Sequence, residues 1–141
     1  MIILVDTREQ LPYWPSNRAT LIVGDYTTKK LLNSFHIERK SLQDLYGTLT
    51  SGNNRFKYEL FNAAYHHIQL EVYVEGSRTD FINKNFPKGE DRKFTTDGLD
   101  RLIKTFERKY HLTFHWCKNR QHAKKLVMER LSTEERKPKK R

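Results

Sequence analysis

Two acids and a lysine within residues 24–40 place the strongest constraint on how this chain folds. The stretch reads GDYTTKKLLNSFHIERK, with Asp25 after Gly24 and Glu38 two residues before Lys40. Residues two apart on a strand share a face, so Glu38 and Lys40 point one way and Arg39 the other. The run between the acids softens near Leu31 to Ser34, where an antiparallel pair can turn. Such a pair sets Asp25 roughly opposite Glu38. Two carboxylates and an ammonium gathered this way suit metal-dependent phosphodiester cleavage. Carboxylates hold a hard divalent cation, the cation activates water and screens phosphate, and the ammonium stabilises charge developing in the transition state.

The rest of the chain reads as alternating strands and helices. Ile2 to Val5 form a short apolar run ending in Asp6, expected to be a buried central strand with polar groups at its C-terminal end. Pro12 and Pro15 make the following segment irregular, and Arg18 to Val23 lead into the second strand. Gly24 permits a bend or close backbone approach before Asp25. Phe35 to Lys40 is the third strand. Ser41 and Asp44 have the spacing of a capping pair, followed by Leu42, Leu45 and Leu49 at helical spacing. A second helix is expected from about Asn54 to His67, with Phe56, Leu60, Phe61, Ala64 and Tyr65 as its apolar stripe. Leu70, Val72 and Val74 alternate with Glu71, Tyr73 and Glu75 as a fourth strand. Residues 76–96 carry Gly76, Pro87 and Gly89 among Lys84, Lys88, Arg92 and Lys93; Phe81 and Phe86 suit a short helical turn, and mobility and DNA contact are expected there. Thr96 or Asp97 then caps a helix burying Leu99, Leu102, Ile103 and Phe106. Leu112 to Cys117 is a fifth strand, and Arg120 to about Thr133 a final helix with Ala123, Leu126, Val127 and Leu131 on one side. A meander followed by strand–helix alternation predicts an α/β sandwich with a mixed sheet. Residues 1–134 are expected to form one domain, and 135–141 a basic disordered tail.

Composition narrows the partners. The 141 residues carry a formal net charge of +10, which points to a polyanion and first to nucleic acid, with general solubility as the plainer alternative. Cys117 is the single cysteine, so no internal disulfide forms, as fits a reducing interior. No apolar run is long enough to span a membrane, and the N-terminus lacks a signal pattern. A cytoplasmic location is expected, with the nucleus left open.

At VGDY…IERKSLQDL the chain resembles the XPF-type structure-specific nucleases. The family signature is Gly-Asp, a spacer, Glu-Arg-Lys, three residues and Asp; here it is Gly24-Asp25, Glu38-Arg39-Lys40 and Asp44. VDTRE at Val5 to Glu9 resembles the family's Asp-x-Arg-Glu segment, and Arg55 with Glu59-Leu60 resembles its following arginine and helix. The likeness implies a restriction-endonuclease-like three-layer sandwich, in which helices flank a mixed central sheet. It implies cutting of branched, forked or flapped DNA near the duplex/single-strand junction, in the setting of DNA repair and recombination, with Mg²⁺ or Mn²⁺ as cofactor. Carried over residue by residue, Asp25 and Glu38 are metal ligands, Asp6 assists directly or through water, and Lys40 is the catalytic lysine. Arg8, Glu9, Arg39 and Asp44 support the site. Arg8, Arg39, Arg55, Lys57, Lys88, Arg92 and Lys93 are the expected DNA contacts. Pairing through the nuclease domain makes a homodimer the family expectation, and an accessory protein is a further possible partner. Cellular members usually carry a helix-hairpin-helix module, for which these 141 residues leave no room; the resemblance then suggests a stand-alone nuclease similar to those of phage genomes, for which the expected location is the host cytoplasm.

Several of these residues also have plainer roles. Asp44 suits a helix cap without any catalysis. Arg8 and Glu9 suit a mutual ion pair, and Arg39, pointing away from the metal face, suits a tie between sheet and helix. His66 and His67 are adjacent on a helix and read as structural. Cys117 reads as a small buried residue. Trp14 suits loop packing, with base stacking as the alternative. Two other functions compete with the nuclease: a non-catalytic DNA-binding module on the same fold, and a four-way-junction resolvase, which requires a symmetric dimer.

Overall fold

The computed structural model describes residues 1–15, 17–90 and 93–138. Six strands form one mixed sheet in the order β2-β1-β3-β4-β5-β6. They are β1 (Ile3–Asp6), β2 (Arg18–Ala19), β3 (Tyr26–Thr28), β4 (Phe35–Lys40), β5 (Gln69–Val74) and β6 (Thr113–Trp116). The helices are α1 (Leu42–Leu49), α2 (Asn53–Tyr65), α3 (Arg78–Ile82), α4 (Thr96–Tyr110) and α5 (Arg120–Glu135). β1 pairs antiparallel with β3 and β3 with β4 in a meander, the short β2 lies parallel to β1, and β4, β5 and β6 run parallel to one another. Helical crossovers connect those parallel strands, as parallel pairing requires.

Alternation along β5 explains the layers. Leu70, Val72 and Val74 face one core with Leu45 of α1, Phe56 and Leu60 of α2, and Leu99, Ile103 and Phe106 of α4. Tyr73 faces the other core, with Val5, Tyr26 and Ile37 of the neighbouring strands and Ala123, Val127 and Leu131 of α5. Each fully buried side chain of this size contributes about 1.5–3 kcal/mol. The result is a three-layer α/β/α sandwich, the expected class.

Several boundaries differ from the sequence reading for local reasons. β1 lies next to the short edge strand β2 rather than at the sheet centre. The second strand stops at Ala19 because Asp6 and Arg8 capture the backbone beyond it. Leu21 N–H donates to Asp6 Oδ1 at 2.9 Å, and Arg8 Nη2 donates to the Leu21 carbonyl at 2.7 Å. On α2 the buried stripe is Phe56, Leu60 and Ala63, while Phe61 and Tyr65 face solvent. Positions four and seven after Phe56 stay on its face, whereas Ala64, Phe61 and Tyr65 sit about 80°, 140° and 180° round from it, so Ala64 is exposed with the two rings. Thr95, not Thr96 or Asp97, caps α4 through Gly98 N–H, and α5 continues to Glu135. Residues 139–141 of the basic tail lie outside the described residues. α3 supplies the expected helical turn, with Phe81 buried. Phe86 and Phe94 pack on Tyr46, so the described part of residues 76–96 is anchored to α1.

His36 holds the β3–β4 turn. Its Nδ1 lies 2.7 Å from the Val23 carbonyl, and Asn33 N–H donates to Nε2 at 2.9 Å. A carbonyl only accepts, so Nδ1 carries the proton, and burial lowers the pKa of the ring and keeps it neutral. The turn contains Asn33 at φ 64°, a conformation that asparagine tolerates.

On the α5 face, Arg130 forks onto Glu71 through Nε at 3.1 Å and Nη2 at 2.9 Å. His115 Nε2 lies 3.1 Å from Glu71 Oε1. Burial alone would raise the Glu71 pKa, yet the His115 ring and the Arg130 guanidinium outweigh it and hold the carboxyl at about 2. The folded pKa lies below the ordinary value. Its contribution is therefore complete above about pH 4.5 and is lost as pH falls towards 2. Glu71→Gln should cost about 3 kcal/mol at pH 7 and flatten the acid limb of the stability curve, as measured by urea unfolding across pH.

Candidate active site

The β3–β4 pair builds the acidic centre. Tyr26 pairs with Ile37 in antiparallel register, which sets Asp25 opposite Glu38. Asp25 N–H donates to the Ile37 carbonyl at 2.8 Å, and Arg39 N–H donates to Asp25 Oδ2 at 2.7 Å. Gly24 at φ 79° makes this approach possible: a Cβ there would lie 3.1 Å from the Ile37 carbonyl oxygen and 3.2 Å from Leu70 Cδ1. The two carboxyls open into a cleft of about 410 Å³ lined by Asp6, Arg8, Ile22, Arg55, Tyr58 and Glu59 among others. A second cleft of about 530 Å³ adjoins it, lined by Lys40, Asp44, Gly47, Thr48 and Phe56, with Arg55 and Glu59 common to both.

Electrostatics distinguish this pair from surface acids. Burial pushes the Asp25 carboxyl well up, and the negative charges of Glu38 and Glu9 push it further. Burial also raises Glu38, against the pull of Lys40, whose Nζ lies 3.7 Å from Glu38 Oε2. The two carboxyls lie within hydrogen-bonding reach of each other, and two such groups do not both ionise without a compensating cation. Glu59 adds further negative field at Glu38.

Asp6 is adjacent but engaged. Arg8 Nε donates to its Oδ2 at 2.9 Å, Arg8 Nη2 to Oδ1 at 3.1 Å, and Arg8 N–H to Oδ2 at 3.1 Å. Burial would raise the Asp6 pKa, but Arg8 and the Leu21 N–H bring it below the ordinary value. Arg8 thus pairs with Asp6 rather than with Glu9.

Glu9 and Arg39 belong to a cluster behind the site. Arg39 Nε donates to Glu9 Oε2 at 3.0 Å and Nη1 to Glu75 Oε1 at 2.8 Å. Tyr13 Oη donates to Glu75 Oε2 at 2.6 Å, and Arg120 of α5 lies 3.4 Å from the same oxygen. Only 9% of the Arg39 side chain is exposed, on the face opposite Glu38, so it ties the sheet to the α5 layer. Its backbone N–H, not its guanidinium, reaches the acid pair.

Among the remaining expected residues, Asp44 donates its backbone N–H to Ser41 Oγ at 3.1 Å and also lines the second cleft, combining the capping position with a place beside Lys40. Arg55 is exposed at the junction of the clefts, and Lys57 lies on α2. Lys88 and Lys93 lie between α3 and α4 and line neither cleft. Arg92 lies outside the described residues. Trp14 packs edge-on against Tyr13 and Tyr26, which is the packing role. Cys117 is buried, and burial pushes its thiol up to about 11. Sequence reasoning gave no role to Tyr58 and Asn62, which with Arg55 and Glu59 line the cleft from α2. Their spacing of three, four and seven residues was the available signal.

The donor chemistry fits a hard divalent cation: paired oxygen ligands, both biased towards protonation when no cation compensates them, with one ammonium beside them. The set is a pair; among the described residues, no group of three or more His, Cys, Asp or Glu side chains is disposed to hold a metal.

Residues 5–129 match the ERCC4 domain model. The chain therefore belongs to the ERCC4 domain family, the XPF-type nucleases. Two solved structures share its fold. XPF from Aeropyrum pernix is 18% identical with a TM-score of 0.73, over 97% of this chain and 66% of that one. XPF from Aeropyrum pernix in complex with DNA is 21% identical with a TM-score of 0.68, over 97% of this chain and 67% of that one. This chain thus spans about two thirds of their length. No curated protein matches.

Proposed function

We propose that the protein is a divalent-metal-dependent DNA endonuclease that hydrolyses phosphodiester bonds in branched, forked or flapped DNA near the duplex/single-strand junction. The observation that carries this reading is the buried Asp25–Glu38 pair, whose carboxyls are raised by burial and mutual repulsion and open into a cleft with Lys40 and Arg55 at its edges. Family membership and the net charge of +10 agree with it.

Asp25 and Glu38 would hold Mg²⁺ or Mn²⁺, which when bound supplies Lewis-acid polarisation of the phosphate and a more acidic water. The Arg39 N–H fixes the orientation of the Asp25 carboxylate. Lys40, on the same face as Glu38, donates to a phosphate oxygen as charge builds in the transition state. The Arg8 side chain, 66% exposed, and Arg55 offer guanidinium donors to the DNA backbone. Movement of Arg8 onto a phosphate would release an Asp6 oxygen towards the pair, which is how Asp6 joins the site in this scheme.

Cleavage of labelled forks, 3′ and 5′ flaps, a four-way junction and plain duplex in Mg²⁺, Mn²⁺ or EDTA tests the reading. Cuts at the branch of forks or flaps, abolished by EDTA, are expected. Preferred paired cuts in the four-way junction would establish the resolvase instead. Tight binding without cuts in either metal would establish a binding module.

A further inference from the structure

α2 presents an aromatic stripe that the folded chain leaves uncovered. Tyr58, Phe61 and Tyr65 are 69%, 65% and 69% exposed, although their neighbours Phe56 and Leu60 are buried. The rings of Phe61 and Tyr65 lie 6.4 Å apart with an interplanar angle of 28°. Tyr58 lines the cleft that holds Asp25 and Glu38, so the stripe begins at the acidic centre and runs outward along the helix. From Tyr58 to Tyr65 the helix rises about 10 Å, a span of roughly three stacked nucleotides. Arg55 and Lys57 flank the inner end, and neither is in an ion pair among the described residues. The helix has one acid, Glu59, and it faces the clefts rather than the stripe.

We infer that this stripe is the seat of the single-stranded DNA segment next to the cut, its bases stacking on Tyr58, Phe61 and Tyr65 and its phosphates meeting Arg55 and Lys57. The inference rests on the nuclease reading and adds the surface that would distinguish single strand from duplex. Every base has a π-face, so an aromatic row flanked by cations binds unpaired DNA irrespective of sequence. Duplex bases are stacked on each other and offer the rings nothing. A second copy of the chain is the poorer occupant: three rings exposed by two thirds offer roughly 400 Å², about half of the 800 Å² or so that a stable partner covers.

The test measures binding in EDTA, where cleavage plays no part. A fluorescent dT oligomer of about 12 nucleotides and a blunt hairpin duplex serve as probes. The triple variant Y58A/F61A/Y65A should bind the oligomer at least about tenfold more weakly and the hairpin within about twofold of wild type. The single variant F61W should keep single-strand affinity, with its tryptophan emission quenched by the oligomer and not by the hairpin. Because the three side chains are exposed, far-UV circular dichroism and the thermal midpoint should be unchanged. Equal binding of the oligomer by triple variant and wild type would overturn the inference. So would equal losses for oligomer and hairpin, or a wild-type dimer by sedimentation that the triple variant converts to monomer with single-strand affinity intact. Absence of cuts on any substrate would defeat the nuclease reading while leaving this binding result standing; lost stacking with cuts retained would do the reverse.

Discussion

Glu38→Gln should lower cleavage by roughly a thousandfold or more, keep DNA affinity, and raise the thermal midpoint of the metal-free protein. The first effect follows from removal of one of the two carboxylates that would hold the cation. The second follows because the variant loses a negative charge beside the path of a polyanion. The third concerns the sign of the linkage. Burial raises both carboxyls of the pair, so ionisation opposes folding as pH rises above the ordinary carboxyl range. An amide of the same shape removes that penalty. Added Mn²⁺ should stabilise wild type and leave the variant unmoved, as measured by scanning fluorimetry at pH 7.5. Cleavage by Glu38→Gln at the wild-type rate would remove Glu38 from the mechanism.

Arg39→Met should be the most destabilising single change at the signature. Its guanidinium lies between Glu9 and Glu75, whose side chains are 7% and 9% exposed. Removing it leaves Glu9 with no ion-pair partner among the described residues, whereas Glu75 keeps Arg120 and the Tyr13 hydroxyl. Breaking a buried pair from one side costs about 3–5 kcal/mol, or roughly 10–20 °C in thermal midpoint for a chain of this size. Arg39→Lys should recover only part of this, because an ammonium does not reach both carboxylates as a planar fork does. Denaturant unfolding of the two variants beside wild type measures it. An unchanged midpoint for Arg39→Met would show that the cluster contributes nothing net.

The acidic centre was readable because it depends on a period of two and a turn. Glu38 and Lys40 share a face, and a turn near Asn33 brings Asp25 opposite Glu38. The separation of Arg39 from them follows from the same period, although its partners Glu9 and Glu75 come from distant segments that no local pattern joins. The engagement of Asp6 was hidden for the same reason: Leu21 and Arg8 reach it through a loop whose backbone leaves the ladder. On α2 the apolar pattern was ambiguous, because seven aromatic or aliphatic residues compete for one buried face. The face that Phe61 and Tyr65 were expected to bury turned outward, next to the cleft. Helix caps moved by a residue where two hydroxyls or acids compete, as at Thr95 and Thr96.

The most direct test titrates Mn²⁺ into wild type and Asp25→Asn by calorimetry while the same preparations cut a labelled fork. Wild-type cleavage should rise with Mn²⁺ occupancy, and both binding and cleavage should disappear in Asp25→Asn. Cleavage that persists in EDTA, or Mn²⁺ binding that survives Asp25→Asn with full activity, would contradict the metal-dependent mechanism.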